Sequence, residues 1–518
     1  MNSFAKRALE EYNGEIAQHH GGIGGRPYWN AHSTQFTYNP KFLFPIIPEA
    51  KGYLFTATDK DGKEHSFVAE KSTSLLTPIW KDIPTGMVTL KVESLDKDGK
   101  PKYLAGARTF FKCDPFPGRE NLPPGACSYE ECAVKAYRYV FNHKMIEYLY
   151  KTGEPDPEYE YNTYPSKMMS AIINAMIFYS KLEPEHAEKA LDVAKKAADY
   201  LISISYGKGS PVEGLPPTFD TSYRKGYDKS EKNAADADDR KGRIMLVYPA
   251  NVASAYLALE EATGEKRFFD AAMKIASYYR DNVLSCGSWN LFVSAETGKS
   301  EVINILNPQG LMMFMASLYK RTGDKVWSDL ADGCFSYLQK NCIDGYNFES
   351  QFEDSPFSEY YSDLTHFAAN AIIKYIADNK SDDPKAVETA VTLMRFVEDQ
   401  FVVWGEYAKW LRSPFGYNEH FKSPAGLEQY AWYVPVDGST ATIMTSFYAV
   451  YKLTGDELWR EKAYALADMI TRMQNPETGM IPTQWITKDA NKDVYSFWVN
   501  CHLGTAGNMY RISKGLFN

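Results

Sequence analysis

The chain has 518 residues, 44% hydrophobic and 24% charged, with a formal net charge of -9, enough apolar material for a small domain followed by a large one. The acidic balance, with no basic stripe to reverse it, argues against a nucleic-acid surface, and no apolar run approaches the ~18 residues of a membrane span. Seven scattered cysteines, with no Cys-x-x-Cys pair, offer neither a disulfide framework nor a zinc site, so neither metal nor cofactor is expected.

Residues 1–26 form a lead-in. Its start carries Lys6, Arg7, Glu10 and Glu11 where a signal peptide needs an apolar stretch. The sequence as it stands therefore suits the cytoplasm, and a periplasmic or secreted location would require a signal already removed. The glycine-rich His20 to Gly25 lacks the strand and the Lys-Ser/Thr of a nucleotide loop and reads as a flexible connection. From 27 to 117, β-rich runs such as Leu54 to Thr58, Met87 to Val92 and Arg108 to Phe111 alternate with Asp-Lys-Asp-Gly turns at 59–62 and 96–99. They predict a small antiparallel β-sandwich. Residues 118–127, with Pro123, Pro124 and Gly125, make a linker.

Apolar residues at i, i+3, i+4 and i+7 then predict helices at about 128–152, 165–181, 184–206, 248–263, 265–284, 307–322, 325–341, 363–379, 383–404, 438–454, 456–475 and 501–515. Ten of these form five pairs with short internal joints. Three joints share a Thr-Gly-acid pattern: Thr263-Gly264-Glu265, Thr322-Gly323-Asp324 and Thr454-Gly455-Asp456. The glycine suits a left-handed helix end, and the acid suits the positive start of the next helix. Helices before the joints are small and apolar on most faces, as inner helices should be, and those after them are charged on one face. The first and last helices remain to pair with each other, and the connections between pairs run long, over 207–247, 285–306, 342–362, 405–437 and 476–500. An open solenoid explains neither feature. The expected fold is mainly α: an (α/α)6 toroid over 128–518, six inner helices inside six outer ones, with the long loops at one mouth.

Aromatic residues make up 14% of the chain, and many lie in those loops beside polar groups. Trp289 with Asn290, Tyr430, Trp485 and Trp498 offer flat apolar faces and hydrogen-bonding rims that match sugar rings, although packing explains any single one of them. The segment from Pro414 to Thr440 is richest in proton-moving groups. Glu428 sits amid Leu427, Tyr430 and Trp432, a setting that raises a carboxyl pKa and suits proton donation. Asp437 reads equally as a first-turn acid, and Glu419 and His420 stand nearby. A second cluster pairs Asp363 with His366, three apart at an inner-helix start and hence on one face. Tyr248, Asn251, Asn307, Gln309, Asn500 and His502 stand at other inner-helix starts. They converge on a cavity toward which the helix dipoles are positive, a setting for an anionic group such as a uronate carboxylate. Arg240, Arg243, Lys409 and Arg412 add positive charge.

With the Thr-Gly-acid joints, the phrases Leu427-Glu428-Gln429-Tyr430, Pro435-Val436-Asp437-Gly438-Ser439 and Gly479-Met480-Ile481-Pro482-Thr483-Gln484-Trp485 resemble the (α/α)6-toroid carbohydrate-active enzymes. That group includes unsaturated glucuronyl hydrolases, some β-glucuronidases, polysaccharide lyases and sugar 2-epimerases. The resemblance covers the helical region, with a fibronectin-III-like or immunoglobulin-like sandwich in front. It implies a glycoside hydrolase acting on a uronate-bearing oligo- or polysaccharide, with Glu428 and Asp363 as the two carboxyls and His366, Trp289, Asn290, Tyr248, Arg412, His420, Tyr430, Trp485, Trp498 and His502 holding substrate. Two alternatives remain: a lyase that eliminates at a uronate, and a glycan-binding protein without turnover.

Overall fold

The computed structural model describes residues 3–16, 33–223, 240–300, 302–345, 347–352, 364–408, 420–430, 433–489, 492–494 and 496–517. Helix α1 (Ser3–Asn13) precedes strands β1 (Gln35–Phe36), β2 (Tyr53–Thr58), β3 (Glu64–Ala69), β4 (Gly86–Leu95) and β5 (Pro101–Lys112). These join one sheet in the order β1-β5-β4-β2-β3, antiparallel except where β1 runs parallel to β5. The Asp-Lys-Asp-Gly segments turn as expected: Asp59 and Asp96 each accept two backbone N–H bonds, and Gly62 and Gly99 take positive φ. The strands do not divide into two layers. Register shifts in β4 and β5 at Val92/Glu93 and Ser94/Leu95 increase the local twist, and the sheet curls over Phe36, Phe42, Phe55, Trp80 and Phe110, all buried.

The helical part follows as α2 (Tyr129–Phe141), α3 (Lys144–Thr152), α4 (Pro165–Leu182), α5 (Ala187–Ile204), α6 (Tyr248–Thr263), α7 (Lys266–Asp281), α8 (Gln309–Thr322), α9 (Lys325–Leu338), α10 (Phe367–Asn379), α11 (Pro384–Phe401), α12 (Asp437–Thr454), α13 (Glu457–Met473) and α14 (Val499–Ser513). The single helix expected over 128–152 breaks at Asn142-His143, where His143 leaves helical geometry and its ring accepts the Met145 N–H to cap α3. Helix α10 begins at Phe367, so His366 caps its start and is not inside it. At the joints, Gly264, Gly323 and Gly455 take φ of 73°, 70° and 69°, while Asp324 and Asp456 cap the following helices through Val326 N–H and Leu458 N–H. Glu265 makes no such cap.

The even-numbered helices α4 to α14 pack side by side in sequence, and α14 returns against α4. The ring is closed. Each inner helix lies antiparallel to its outer partner, and α2 serves as the partner of α14, which places all six inner N-termini at one mouth. The long connections meet there in a chain of backbone pairs: Glu349 with Leu364, Thr365 with Gln429, Val436 with Gln484, and the strand His420–Phe421 with the strand Ile486–Asp489. Asn304 and Asn307 tie the 285–306 connection to Glu349 and Gln351.

The segment around β1 docks on the toroid through buried polar contacts. Gln35 donates to the Gln400 carbonyl and accepts from the Tyr433 hydroxyl; Asp399 accepts the N–H of Thr37 and of Tyr38, each at 2.7 Å, and the Gln400 amide. Burial, against those bonds and with help from the charge of Glu398, pushes the Asp399 carboxyl up to about 7. Between the ordinary aspartate value and about 7 the folded chain keeps a proton that the unfolded chain has lost. The group's contribution to stability is therefore full at low pH, falls as pH rises through this window and levels off above it. Asp399→Asn keeps an acceptor for the two N–H groups and removes the slope. The unfolding free energy of the variant minus that of the parent is expected to rise between about pH 4 and 7 and then stay flat; denaturant titrations giving a constant difference would count against this account.

Candidate functional site

At the mouth the ring opens into a cavity of about 590 Å³ bordered by all six inner helices, within the range of small-ligand sites. Its walls descend about halfway along the helices, to Asn174, Ser254, Met313, Lys374, Thr442 and Gly504. Tyr248, Asn251, Asn307, Gln309 and Asn500 reach it from the inner-helix starts, as their positions in the sequence suggested.

Two carboxyl side chains stand on the described lining, Glu349 and Glu428. Glu428 follows the short strand Ala425–Gly426, which lies against the first turns of α12. A Cβ at Gly426 would stand 2.9 Å from the Thr440 Cα and from the Ile443 side chain, so only glycine permits this approach. Leu427 N–H donates to Phe401 O at 2.8 Å, Thr365 Oγ1 to Glu428 O at 3.2 Å, and Ser350 Oγ to the Gln429 side chain at 2.6 Å. The end of outer helix α11 and the connection leading into α10 thus fix the backbone that presents Glu428, leaving the residue 8% exposed.

Asp437, the first residue of α12, is fully buried close behind Glu428. Its Oδ2 accepts from Thr505 Oγ1 at 3.0 Å, and its Oδ1 has no partner among the described residues. Burial, then the charge of Glu428, pushes this carboxyl well above the usual range, against bonds from Gly438 N–H and Thr505.

Several expected site residues lie elsewhere. His366 is buried between Phe367 and Phe401 and off the cavity; its Nδ1 pairs with Asn370 at 2.6 Å. Desolvation, then the charge of Lys374, pushes its pKa down to about 3, so it is neutral at physiological pH. Trp289 and Trp485 are buried anchors whose indole N–H groups donate to Tyr279 O and Pro482 O, each at 2.8 Å. His502 is buried between the backbones of Ile481 and Ala136. Tyr430 donates to the Gln400 side chain, Trp498 packs on Tyr161, Asn290 pairs with Ile305 and His420 is exposed on its short strand; none borders the cavity. Asp363, Arg412 and Lys409 lie outside the described residues. Of the residues proposed to hold or act on substrate, Glu428 and Tyr248 border the cavity.

The sequence reading passed over Asn174, Asn370 and Lys374, polar positions inside otherwise apolar inner helices. Four polar atoms of lining residues, Gln309 Oε1, Asn370 Oδ1, Ser439 Oγ and Asn500 Oδ1, are buried without a hydrogen-bond partner among the described residues and are shut off from the cavity itself. Other polar side chains of the wall, among them Ser170, Asn174, Asn251, Ser254 and Thr442, are placed to hydrogen-bond a ligand.

No family model matches the chain, and no curated protein matches it. Among solved structures it is similar to cellobiose 2-epimerase from Spirochaeta thermophila, with 11% identity over 74% of this chain and 97% of the other and a TM-score of 0.50. It is also similar to an unsaturated glucuronyl hydrolase from Streptococcus agalactiae, at 13% identity over 74% and 91% with a TM-score of 0.47. A family 76 glycoside hydrolase from Bacteroides thetaiotaomicron aligns at 8% identity over 92% and 99%, with a TM-score of 0.45. The first of these likenesses shows a shared fold.

Proposed function

We propose that this protein is a glycoside hydrolase cleaving a uronic-acid-containing oligo- or polysaccharide, with Glu428 protonating the leaving oxygen and a second carboxyl activating water or attacking the sugar. The observation that carries the reading is the polar wall of a cavity bordered by Glu428, with Ser170, Asn174, Asn251, Ser254 and Thr442 among its side chains: sugar hydroxyls hydrogen-bond to such amides and hydroxyls. The epimerase neighbour is named for a disaccharide substrate, which supports a sugar in a ring of this build. Glu349 is the second carboxyl on the described lining; Asp363, whose expected register with His366 does not hold because the helix begins at Phe367, is a candidate by sequence alone. Two carboxyls are the usual equipment for glycoside hydrolysis.

A panel of uronate-containing glycans incubated in ¹⁸O-water tests the proposal. Hydrolysis puts the label into a newly freed sugar, a lyase releases a product absorbing in the near ultraviolet without label, and binding without either change leaves a glycan-binding protein.

The use of the cavity has its own test at Gly504. A Cβ there meets nothing within 4 Å, so Gly504→Leu should fold at least as well as the parent, because a helical glycine lowers stability by roughly 0.5–1 kcal/mol relative to alanine. The added side chain occupies ligand space, and kcat/KM should fall at least ~10-fold, the scale on which pockets discriminate small groups. Unchanged kinetics in a normally melting variant would place the active site elsewhere.

A further inference from the structure

Deep in the cavity stands a charge that the carboxyl chemistry does not use. Lys374 lies seven residues into α10, about 10 Å from the mouth at 1.5 Å per residue, on the face shared by Phe367, Asn370 and Ala371, which border the same cavity. Its ammonium makes no hydrogen bond or ion pair among the described residues. On its own helix Asp378, one turn further on, attracts it; from α14, Arg511 repels it. His366, behind the same wall, is neutral. Among the described residues, the other charged groups bordering the cavity are Lys167, on α4 across the ring, and Glu349 and Glu428 from the connections at the mouth. Around the lysine the wall offers neutral groups, Asn174, Ser254, Asn370 and Thr442.

A half-buried cation with no ion pair among the described residues is costly, and an anion entering the cavity reduces that cost. We propose that Lys374 is a specificity-determining residue that receives the anionic group of the sugar entering first, a carboxylate or sulfate ester, so that the acidic ring sits deep and the bond to be broken lies nearer the mouth beside Glu428. This rests on the glycan reading of the cavity, but recognition of the anion does not depend on which reaction follows. Desolvation and then Arg511, opposed by Asp378, hold the unliganded ammonium down to about 7. An anion favours the charged form. Binding above that pH must take up a proton, and affinity must fall as pH rises, while the carboxylate or sulfate itself stays ionised.

The test is calorimetric binding of D-glucuronate, glucose 6-sulfate and glucose to the full chain. At about pH 6 the parent should bind at least one of the acidic sugars ~10-fold or more tighter than glucose, the factor being one decade of affinity. Whichever acid wins identifies the anion. Lys374→Met should lose that preference and still bind glucose. Lys374→Arg should keep it and, because guanidinium stays charged, should abolish the fall in affinity of up to ~10-fold between pH 7 and 8 and the accompanying proton uptake. If the parent does not discriminate, or if Lys374→Met retains the preference, the proposal is overturned. If Lys374→Met fails to fold, the pH profiles of the parent and Lys374→Arg decide, and identical profiles refute it. Anion preference without any turnover would remove the hydrolase and leave Lys374 in its role; turnover of neutral glycans alone would do the reverse.

Discussion

Glu428→Gln is expected to lower turnover by at least ~100-fold, the lower range for loss of a general acid, with little change in substrate affinity. The glutamine keeps the shape of a side chain whose backbone is held by Phe401, Thr365 and Ser350, the last through Gln429. It cannot supply the proton that the departing oxygen needs. The buried carboxyl behind it predicts how this site responds to repair. Asp437 is raised chiefly by its own burial, which the substitution leaves in place, and it stands off the lining. Asp437 therefore does not replace the lost acid. Steady-state rates on a substrate found in the glycan panel, with affinity measured separately, check this. Near-normal turnover would remove Glu428 from the mechanism and move the search to Glu349, Glu419 and Asp437.

The architecture was legible because it depends on features that repeat. A helix ending in Thr-Gly-acid leaves a local mark at each joint, and Gly264, Gly323 and Gly455 take the left-handed geometry those marks require. The contrast between short joints and long connections then locates the mouth, since successive inner helices must run the same way. The β region was less legible. Strand and turn signals in 27–117 specify which residues pair locally, but whether strands divide into two layers depends on twist, and the shifts at Val92/Glu93 and Ser94/Leu95 leave no mark in an alternating pattern.

At the site, the inner-helix starts pointed to Tyr248, Asn251, Asn307, Gln309 and Asn500 because position along a helix determines where a side chain emerges. Aromatic residues gave a weaker guide. Trp289 and Trp485 look alike in sequence whether they stack on a ligand or anchor a loop, and the difference lies in the carbonyls of Tyr279 and Pro482 that their N–H groups find. Lys374 carried a signal that periodicity discounts. A lysine with an asparagine four residues before it, in a helix otherwise made of alanine, isoleucine and tyrosine on its buried faces, marks a wall that faces something polar inside the ring.

Lys462→Met is expected to destabilise the protein by about 3–5 kcal/mol, the cost of leaving one member of a buried ion pair uncompensated. Lys462 on α13 and Glu398 on α11 are each 1% exposed at the side chain and meet at 2.7 Å. Glu398 also accepts the Tyr38 hydroxyl at 2.7 Å and the Trp404 N–H at 3.1 Å, so the pair joins two outer helices to the segment that carries β1. With methionine in place of the lysine, those two neutral donors alone must hold a buried carboxylate. Adding Glu398→Gln removes the stranded charge while leaving an oxygen for Tyr38 or Trp404, and the double variant should recover most of the loss. Chemical denaturation of the parent, both single variants and the double measures the coupling directly. A Lys462→Met loss below about 1 kcal/mol, the scale of exposed pairs, or a double variant no more stable than Lys462→Met, would show that the pair does not secure this junction. Where the loss does appear, it should extend to the mouth, because Gln35 in β1 holds Gln400 and Tyr433, and Tyr433 lies in the connection that presents Glu428.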